Sequence, residues 1–313
     1  MKIIVYPDQP AGGNVVLNGY VLSEPWSDIP TTPDFYVDCG QAWFGSSYHP
    51  NFVAGRSGKI YCQIEGHKII RFTPPLASQS QVEVLYQHTT WIRRLALRMI
   101  TEPSGVQTER LYFSGASPTA EDGNRVQINW LDQNGSAHTY LSIGKKDLQV
   151  PDPCQPGGLD FPLFYAGDFT FGEQNTLFLS NGNSSPCGMF KIDGALPDSV
   201  TGAPQRIFVT DSYSMSDLQY DGQGGLLFTD YSAYQTSWPY RLQRFDLATY
   251  CTQVIWNTQG TPFRGFAVYP VNISAVKPDF AHLVHIDLEH LKRFKIKPDP
   301  VHSIRRRERK DKN

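Results

Sequence analysis

One recurring pattern constrains this chain more than any other feature. It runs as a short alternating strand, a turn, a strand of the Leu-Phe-Leu-Ser type, a loop, and a strand that closes near an aspartate. The clearest copy has Gly167-Asp168-Phe169-Thr170-Phe171 leading to Leu177-Phe178-Leu179-Ser180 and Phe190-Lys191-Ile192-Asp193. Its match has Ser216-Asp217-Leu218-Gln219-Tyr220-Asp221 leading to Leu227-Phe228-Thr229-Asp230 and Leu242-Gln243-Arg244-Phe245-Asp246. Weaker copies start at Asn51-Phe52-Val53-Ala54 and Arg94-Leu95-Ala96-Leu97, and a fifth at Gly265-Phe266-Ala267-Val268. With Ile60, Leu111, Leu177 and Leu227 taken as equivalent, the steps are 51, 66 and 50 residues, the length of a four-stranded blade with its loops. A single four-stranded sheet cannot cover both of its faces, so such sheets stack around an axis and bury the faces against one another.

The predicted fold is therefore all-β, a β-propeller forming one domain over residues 1–297, followed by a basic tail over 298–313. Strand-like runs in 1–23 and 281–297 fall outside the five copies. They predict a sixth blade built from both termini that closes the ring, with five blades as the alternative. Asn18-Gly19, Asp122-Gly123, Asn134-Gly135, Asp193-Gly194 and Asp221-Gly222 are dipeptides that accept positive φ and predict hairpin turns. Gly55-Arg56-Ser57-Gly58-Lys59 lacks the spacing of a phosphate-binding loop and also reads as a hairpin turn. Trp91 to Glu102 fits a helical face at Ile92, Leu95 and Met99, but the repeat makes it a strand.

Hydrophobic residues at 40% and aromatic residues at 13% supply a large core and exclude a disordered body. The five cysteines, Cys39, Cys62, Cys154, Cys187 and Cys251, lack CxxC or zinc-finger spacing and read as free, buried thiols. The opening residues lack the apolar run of a signal peptide, and no stretch of 18 apolar residues occurs. The expectation is cytoplasmic synthesis and no membrane span. Residues 290–313 hold ten Lys/Arg against Asp299, Glu308 and Asp311, so a +7 end is attached to a −9 body. The body is thus unsuited to broad nucleic-acid binding. Arg305, Arg306, Arg307, Arg309 and Lys310 predict contact with an anionic partner, nucleic acid or an acidic surface.

The blades resemble, at the level of fold, the six-bladed propellers of the NHL, TolB-like and SMP-30 (gluconolactonase) type, whose blades read roughly G-Φ-Φ-Φ-D-x-x-G-x-L-Φ-Φ-x-D. The match covers residues 49–270. The resemblance implies a divalent metal, calcium or zinc, at one mouth of the channel, where lactones or phosphoesters are hydrolysed. Carried over residue by residue, the ligand set is Asn51, Asp168 and Asp217. The first-blade Glu-Gly-Pro is distorted to Glu24-Pro25-Trp26, and the two aspartates sit one position from the family register.

In a propeller, residues just before each innermost strand converge on a shared funnel. Here they are His49, Asn51, Arg94, Asp168, Asp217 and Arg264, a set suited to a polar ligand and equally to solvating a channel. His285, Asp287 and Glu289 alternate with Val284, Ile286 and Leu288, as in a half-buried strand. No Gly-x-Ser-x-Gly elbow and no HExxH helix occur, so nucleophilic and zinc-protease chemistries are unsupported. Without an evident catalytic set, the leading expectation is a non-catalytic interaction or structural assembly subunit, docking on partner proteins through its rims and tail and needing no cofactor. A metal-assisted hydrolase or lyase at the funnel is the first alternative. A carbohydrate-binding propeller using Trp43, Tyr48, Trp91, Tyr231, Tyr234, Trp238 and Tyr240 is the second.

Overall fold

A computed structural model describes residues 1–7, 14–23, 32–41, 51–75, 81–89, 91–116, 126–143, 168–180, 187–210, 214–231, 241–257 and 263–269. Twenty strands form five four-stranded antiparallel sheets among these residues. Blade 1 combines β1 (Lys2–Pro7), β2 (Asn14–Val21) and β3 (Phe35–Gln41) with β20 (Phe263–Tyr269), in the order β20-β1-β2-β3. Blade 2 holds β4 (Phe52–Ala54), β5 (Ile60–Ile64), β6 (Lys68–Phe72) and β7 (Glu83–Gln87). Blade 3 holds β8 (Ile92–Thr101), β9 (Gln107–Ala116), β10 (Val126–Leu131) and β11 (Ala137–Ile143). Blade 4 holds β12 (Phe169–Phe171), β13 (Leu177–Ser180), β14 (Cys187–Ile192) and β15 (Gln205–Thr210). Blade 5 holds β16 (Ser214–Tyr220), β17 (Gly225–Tyr231), β18 (Arg241–Asp246) and β19 (Thr252–Asn257).

The first strands β4, β8, β12, β16 and β20 are neighbours in cyclic order, with β20 returning to β4. This is a five-bladed propeller, not the expected six-bladed one. The fifth sequence copy supplies only its inner strand, and the N-terminal run supplies the other three strands of the same blade. Two segments counted as two blades are thus one, with β1 pairing antiparallel to β20. Residues 281–297, His285, Asp287 and Glu289 among them, lie outside the described residues, as does the tail with Arg305, Arg306, Arg307, Arg309 and Lys310. With five blades the chain departs from the six-bladed NHL and SMP-30 types that its repeat resembles.

Packing follows the same cycle, with one apolar cluster at each blade interface. Blades 1 and 2 share Leu17, Cys39, Phe52, Ile60 and Cys62, and blades 2 and 3 share Val53, Tyr61, Leu95 and Phe113. Tyr112 and Ile128 of blade 3 meet Phe169, Leu177 and Phe190 of blade 4. Phe178 and Met189 of blade 4 meet Met215, Leu226 and Phe228 of blade 5. Leu227, Leu242 and Ile255 of blade 5 meet Ile3, Tyr20 and Phe266 of blade 1. Alternation along each second strand explains the arrangement, because successive residues face opposite neighbours and both neighbours are apolar. Leu226 faces blade 4 and Leu227 faces blade 1. Register makes Leu226 the equivalent of Ile60, Leu111 and Leu177, since it lies opposite Tyr220 as they lie opposite Ala54, Leu97 and Phe171.

The turn at Gly55–Lys59 is closed by Gly55 N donating to Lys59 O at 2.8 Å and Gly58 N donating to Gly55 O at 3.1 Å. Trp91–Glu102 is strand, as the repeat required, with β8 spanning Ile92–Thr101. Asn18-Gly19 is not a turn: it lies inside β2, where a Cβ on Gly19 would come within 2.3 Å of the Phe35 ring. That contact, and not positive φ, selects glycine there. Cys39 and Cys62 are buried free thiols, but Cys251 is exposed. Among the described residues no helix is long and apolar enough to cross a membrane.

An inner strand exposes one backbone edge toward the next blade, and here side chains fill it. Gln219 Nε2 donates to Phe266 O at 2.7 Å, and Gln219 Oε1 accepts from Val268 N at 2.8 Å. Tyr220 N donates to Thr170 Oγ1 at 3.1 Å. Asn51 does the same one blade pair away, donating to Arg93 O at 2.5 Å and accepting from Leu95 N at 3.3 Å. Gln219→Leu removes a donor to a backbone carbonyl and an acceptor from an amide of β20, and is expected to cost about 1–3 kcal/mol. The check is urea unfolding; a midpoint equal to wild type would show that these bonds do not hold β20.

Candidate functional site

Three of the residues predicted to line the funnel meet in one ion cluster. Arg94 enters from blade 3, Asp168 from the residue before β12, and Asp217 from β16. Arg94 Nε donates to Asp168 Oδ1, and Arg94 Nη1 donates to Asp217 Oδ1 at 2.5 Å. The side chains of Arg94, Asp168 and Asp217 are 15%, 7% and 9% exposed. Asp168 Oδ2 accepts from Leu218 N at 3.3 Å, and Asp217 Oδ2 lies 3.0 Å from Thr229 Oγ1. All four carboxylate oxygens thus have a donor group within hydrogen-bonding distance.

A local irregularity places Asp217 there. The β16 register slips between Ser216 and Gln219, and Asp217 adopts φ of +59°. A left-handed residue is costly for L-amino acids but least so for Asp and Asn. The bulge inserts a residue, so that Asp217 turns to Arg94 while Leu218 is buried in the blade 4–5 cluster.

Two carboxylates share one guanidinium, leaving the cluster one negative charge in excess. Burial disfavours the Arg94 charge, but Asp168 and Asp217 outweigh it and hold the proton more firmly than usual. Asp168 too holds a proton more readily than usual: burial raises its proton affinity, Arg94 opposes this, and Asp217 adds to it. Buried ion pairs of this kind contribute little net stability when intact but cost about 3–5 kcal/mol when one member is removed.

A second ring of polar side chains, not singled out from the sequence, lies beside the first. Gln63, Ser114, Ser180 and Thr229 stand three residues after the equivalent second-strand positions Ile60, Leu111, Leu177 and Leu226 of blades 2 to 5, each at most 4% exposed. Asp168 N donates to Ser180 Oγ at 3.1 Å, and Ser114 lies opposite Arg94. The signal was present in sequence: Ile-Tyr-Cys-Gln, Leu-Tyr-Phe-Ser, Leu-Phe-Leu-Ser and Leu-Leu-Phe-Thr each end an apolar run on a polar residue.

Asn51 is drawn to the same end of the channel, but both ends of its amide bind the β8 backbone. A divalent ion at Asn51, Asp168 and Asp217 would have to compete with a guanidinium for both carboxylates. Among the described residues no group of three or more His, Cys, Asp or Glu is arranged to hold a metal ion. Arg264 lies within β20. His49 lies outside the described residues, as do Trp43, Tyr48, Tyr234, Trp238 and Tyr240. Trp91 is exposed beside the β5–β6 turn, and Tyr231 ends β17.

At the opposite end of the inner strands lies a cavity of about 640 Å³, to which all five blades contribute. Its wall includes Val53, Leu97, Phe171, Gln219 and Val268, and its rim is made by the turns after β4, β12 and β16. Arg56, Glu173, Gln174, Asn175, Gly222 and Gln223 on that rim are exposed, so the cavity meets solvent there. Arg98 braces one side: it lies 5.1 Å from the Phe171 ring and donates to Asn175 Oδ1 at 2.5 Å and Leu196 O at 3.1 Å. Leu196 O and Pro197 O also accept from the hydroxyls of Tyr140 and Tyr112 at 2.8 and 2.7 Å, tying a blade 4 loop to blade 3.

No family model matches the chain, and no curated protein does. The chain is similar to solved propeller structures of different activities. One is the PQQ-bound aldose sugar dehydrogenase of Streptomyces coelicolor, at 12% identity and TM-score 0.41, covering 85% of this chain and 89% of that one. Another is an α-L-arabinofuranosidase of Clostridium thermocellum, at 12% identity and TM-score 0.40, covering 82% and 95%. Likeness at this level carries no function; the strand order itself establishes the propeller.

The raised proton affinity of Asp168 has a sign that can be measured. Because the folded state holds this proton more tightly than the unfolded chain, the favourable contribution is present below the ordinary carboxylate range and is lost as pH rises through the folded value. Asp168→Asn removes the titration. Wild type is therefore expected to lose stability relative to Asp168→Asn as pH rises from mildly acidic to neutral, read as the difference between their urea midpoints. A difference independent of pH would contradict the assignment.

Proposed function

We propose that this protein binds a small polar molecule in the central channel of its propeller. The observation that carries the reading is the cavity of about 640 Å³ on the inner strands of all five blades. Its volume lies in the range of small-molecule sites, roughly 300–1,000 Å³. The lining supports a polar occupant, because Thr170, Gln174, Tyr220 and Gln223 stand beside Val53, Leu97 and Phe171, while Gln219 is engaged with the β20 backbone. Amides, hydroxyls and a phenol alternating with apolar wall suit a polyol or sugar-like compound. This keeps the carbohydrate-binding alternative but moves it from loop aromatics to the channel.

The ion cluster lies outside the lining of the cavity and does not act as its reactive centre. Its carboxylates are occupied by Arg94 and neighbouring donors, so a divalent ion would have to displace them to bind there. Adding calcium or zinc is accordingly expected to leave the melting temperature unchanged. The assembly expectation drew on the basic tail, which lies outside the described residues, whereas the cavity is a described feature with a chemistry of its own.

Gln223 offers a direct test, because its side chain sits on the exposed rim while its backbone holds the turn through Asp221 and Arg244. Gln223→Trp should obstruct the mouth with the fold intact. Calorimetric titration with a panel of neutral and charged sugars is expected to show binding to wild type and at least roughly tenfold weaker binding to the variant. Equal binding to both proteins would place the ligand elsewhere.

A further inference from the structure

Every carboxylate on the cavity rim is already supplied with donors, and two of its cations have no acceptor among the described residues. Glu109 accepts from Arg56 N and, at 2.8 Å, from Ser57 Oγ. Glu173 is hydrogen-bonded to the Tyr220 phenol. Asp221 accepts from Arg244 Nε at 2.7 Å, Gly225 N at 2.9 Å and Gln223 N at 2.6 Å. Arg98 is committed to Asn175 Oδ1 and Leu196 O. That leaves Arg56 and Lys2, from adjacent blades, on the lining of one cavity. The Arg56 guanidinium makes no ion pair with any described residue, although Glu109 binds its backbone amide. Lys2 Nζ has only the Phe35 ring, 5.9 Å away. A body whose net charge is strongly negative thus presents uncommitted positive groups at this mouth.

Resting on the channel-binding reading, we infer that the ligand is anionic, with a carboxylate or phosphate oxygen on Arg56 and Lys2 and a polar body toward the Gln219 and Thr170 end. An oxyanion supplies the acceptors that both cations lack, and a guanidinium takes two of its oxygens at once. Neutral sugars satisfy the wall but not the rim. The site discriminates by charge at its entrance, and the surrounding acidic surface disfavours anions that the rim does not capture.

The probes are D-glucose, D-gluconate and D-glucose 6-phosphate, titrated calorimetrically into wild type, Arg56→Gln, Lys2→Gln and Gln223→Trp. Arg56 is an exposed turn residue, and its replacement leaves the backbone bond to Glu109 in place. The expected result is that gluconate, the phosphate ester, or both bind wild type at least roughly tenfold more tightly than glucose, the scale of one charge-assisted hydrogen bond. That advantage should fall with added sodium chloride and vanish in Arg56→Gln and Lys2→Gln. Preference between the two anions identifies carboxylate or phosphate as the partner group. If glucose binds as well as either anion, or if Arg56→Gln binds like wild type, while Gln223→Trp abolishes binding, the inference fails and the channel reading stands. If no probe binds wild type, both fail.

Discussion

Closing a ring of separate sheets requires that the inner edge of each sheet be satisfied without a backbone ladder to the next. The structure meets this demand with side chains that reach from one inner strand to the backbone of its neighbour. Asn51 serves β8, Asp168 and Thr170 serve β16, and Gln219 serves β20. Buried backbone groups left unpaired are costly, so these few residues decide whether blades can approach closely enough for their apolar faces to meet. The five interface clusters depend on that approach. Arg94 is the longest of these connections, joining blade 3 to blades 4 and 5 at once.

The same demand separates the two ends of the channel. At the end where the inner strands begin, charged and amide groups turn to one another and to the backbone, and the result is a closed cluster. At the end where they finish, the strands hand over to turns, and the carboxylates there, on these turns and on β9, are bound by Ser57, Tyr220 or Arg244. Among the described residues no side chain there joins three blades as Arg94 does, and the space remains open. Room at that end remains because its cross-links, such as Arg98 to Asn175 and Ser57 to Glu109, each join only two neighbouring blades.

Much of this was legible in the chain, and the failures have specific causes. The repeat identified the propeller because strand alternation and turn residues recur whatever the loops do. Blade number failed because the ring is joined inside a blade: β20 carries a repeat signal of its own, and nothing local says that its partner is β1. Asn18-Gly19 misled because a turn dipeptide and a glycine chosen for close approach to Phe35 look alike in sequence. Asn51, Arg94, Asp168 and Asp217 were found because they precede equivalent inner-strand positions. Their pairing was hidden, since the bulge that turns Asp217 inward is a backbone event with no residue signature beyond an Asp that tolerates it.

Arg56 and Lys2 were invisible as a pair for a different reason. Arg56 belongs to a hairpin turn, and Lys2 to the second strand of the blade that closes the ring. The N-terminal strands stand beside blade 2 because they complete the blade that closes the ring on it. A sixth blade built from 1–23 and 281–297 would also have adjoined the blade that begins at Asn51; what the sequence withheld is the register, with Lys2 opposite Tyr269 at the end of β20. The residue pair that gives the cavity mouth its charge therefore follows from the register in which the N-terminal strand joins β20.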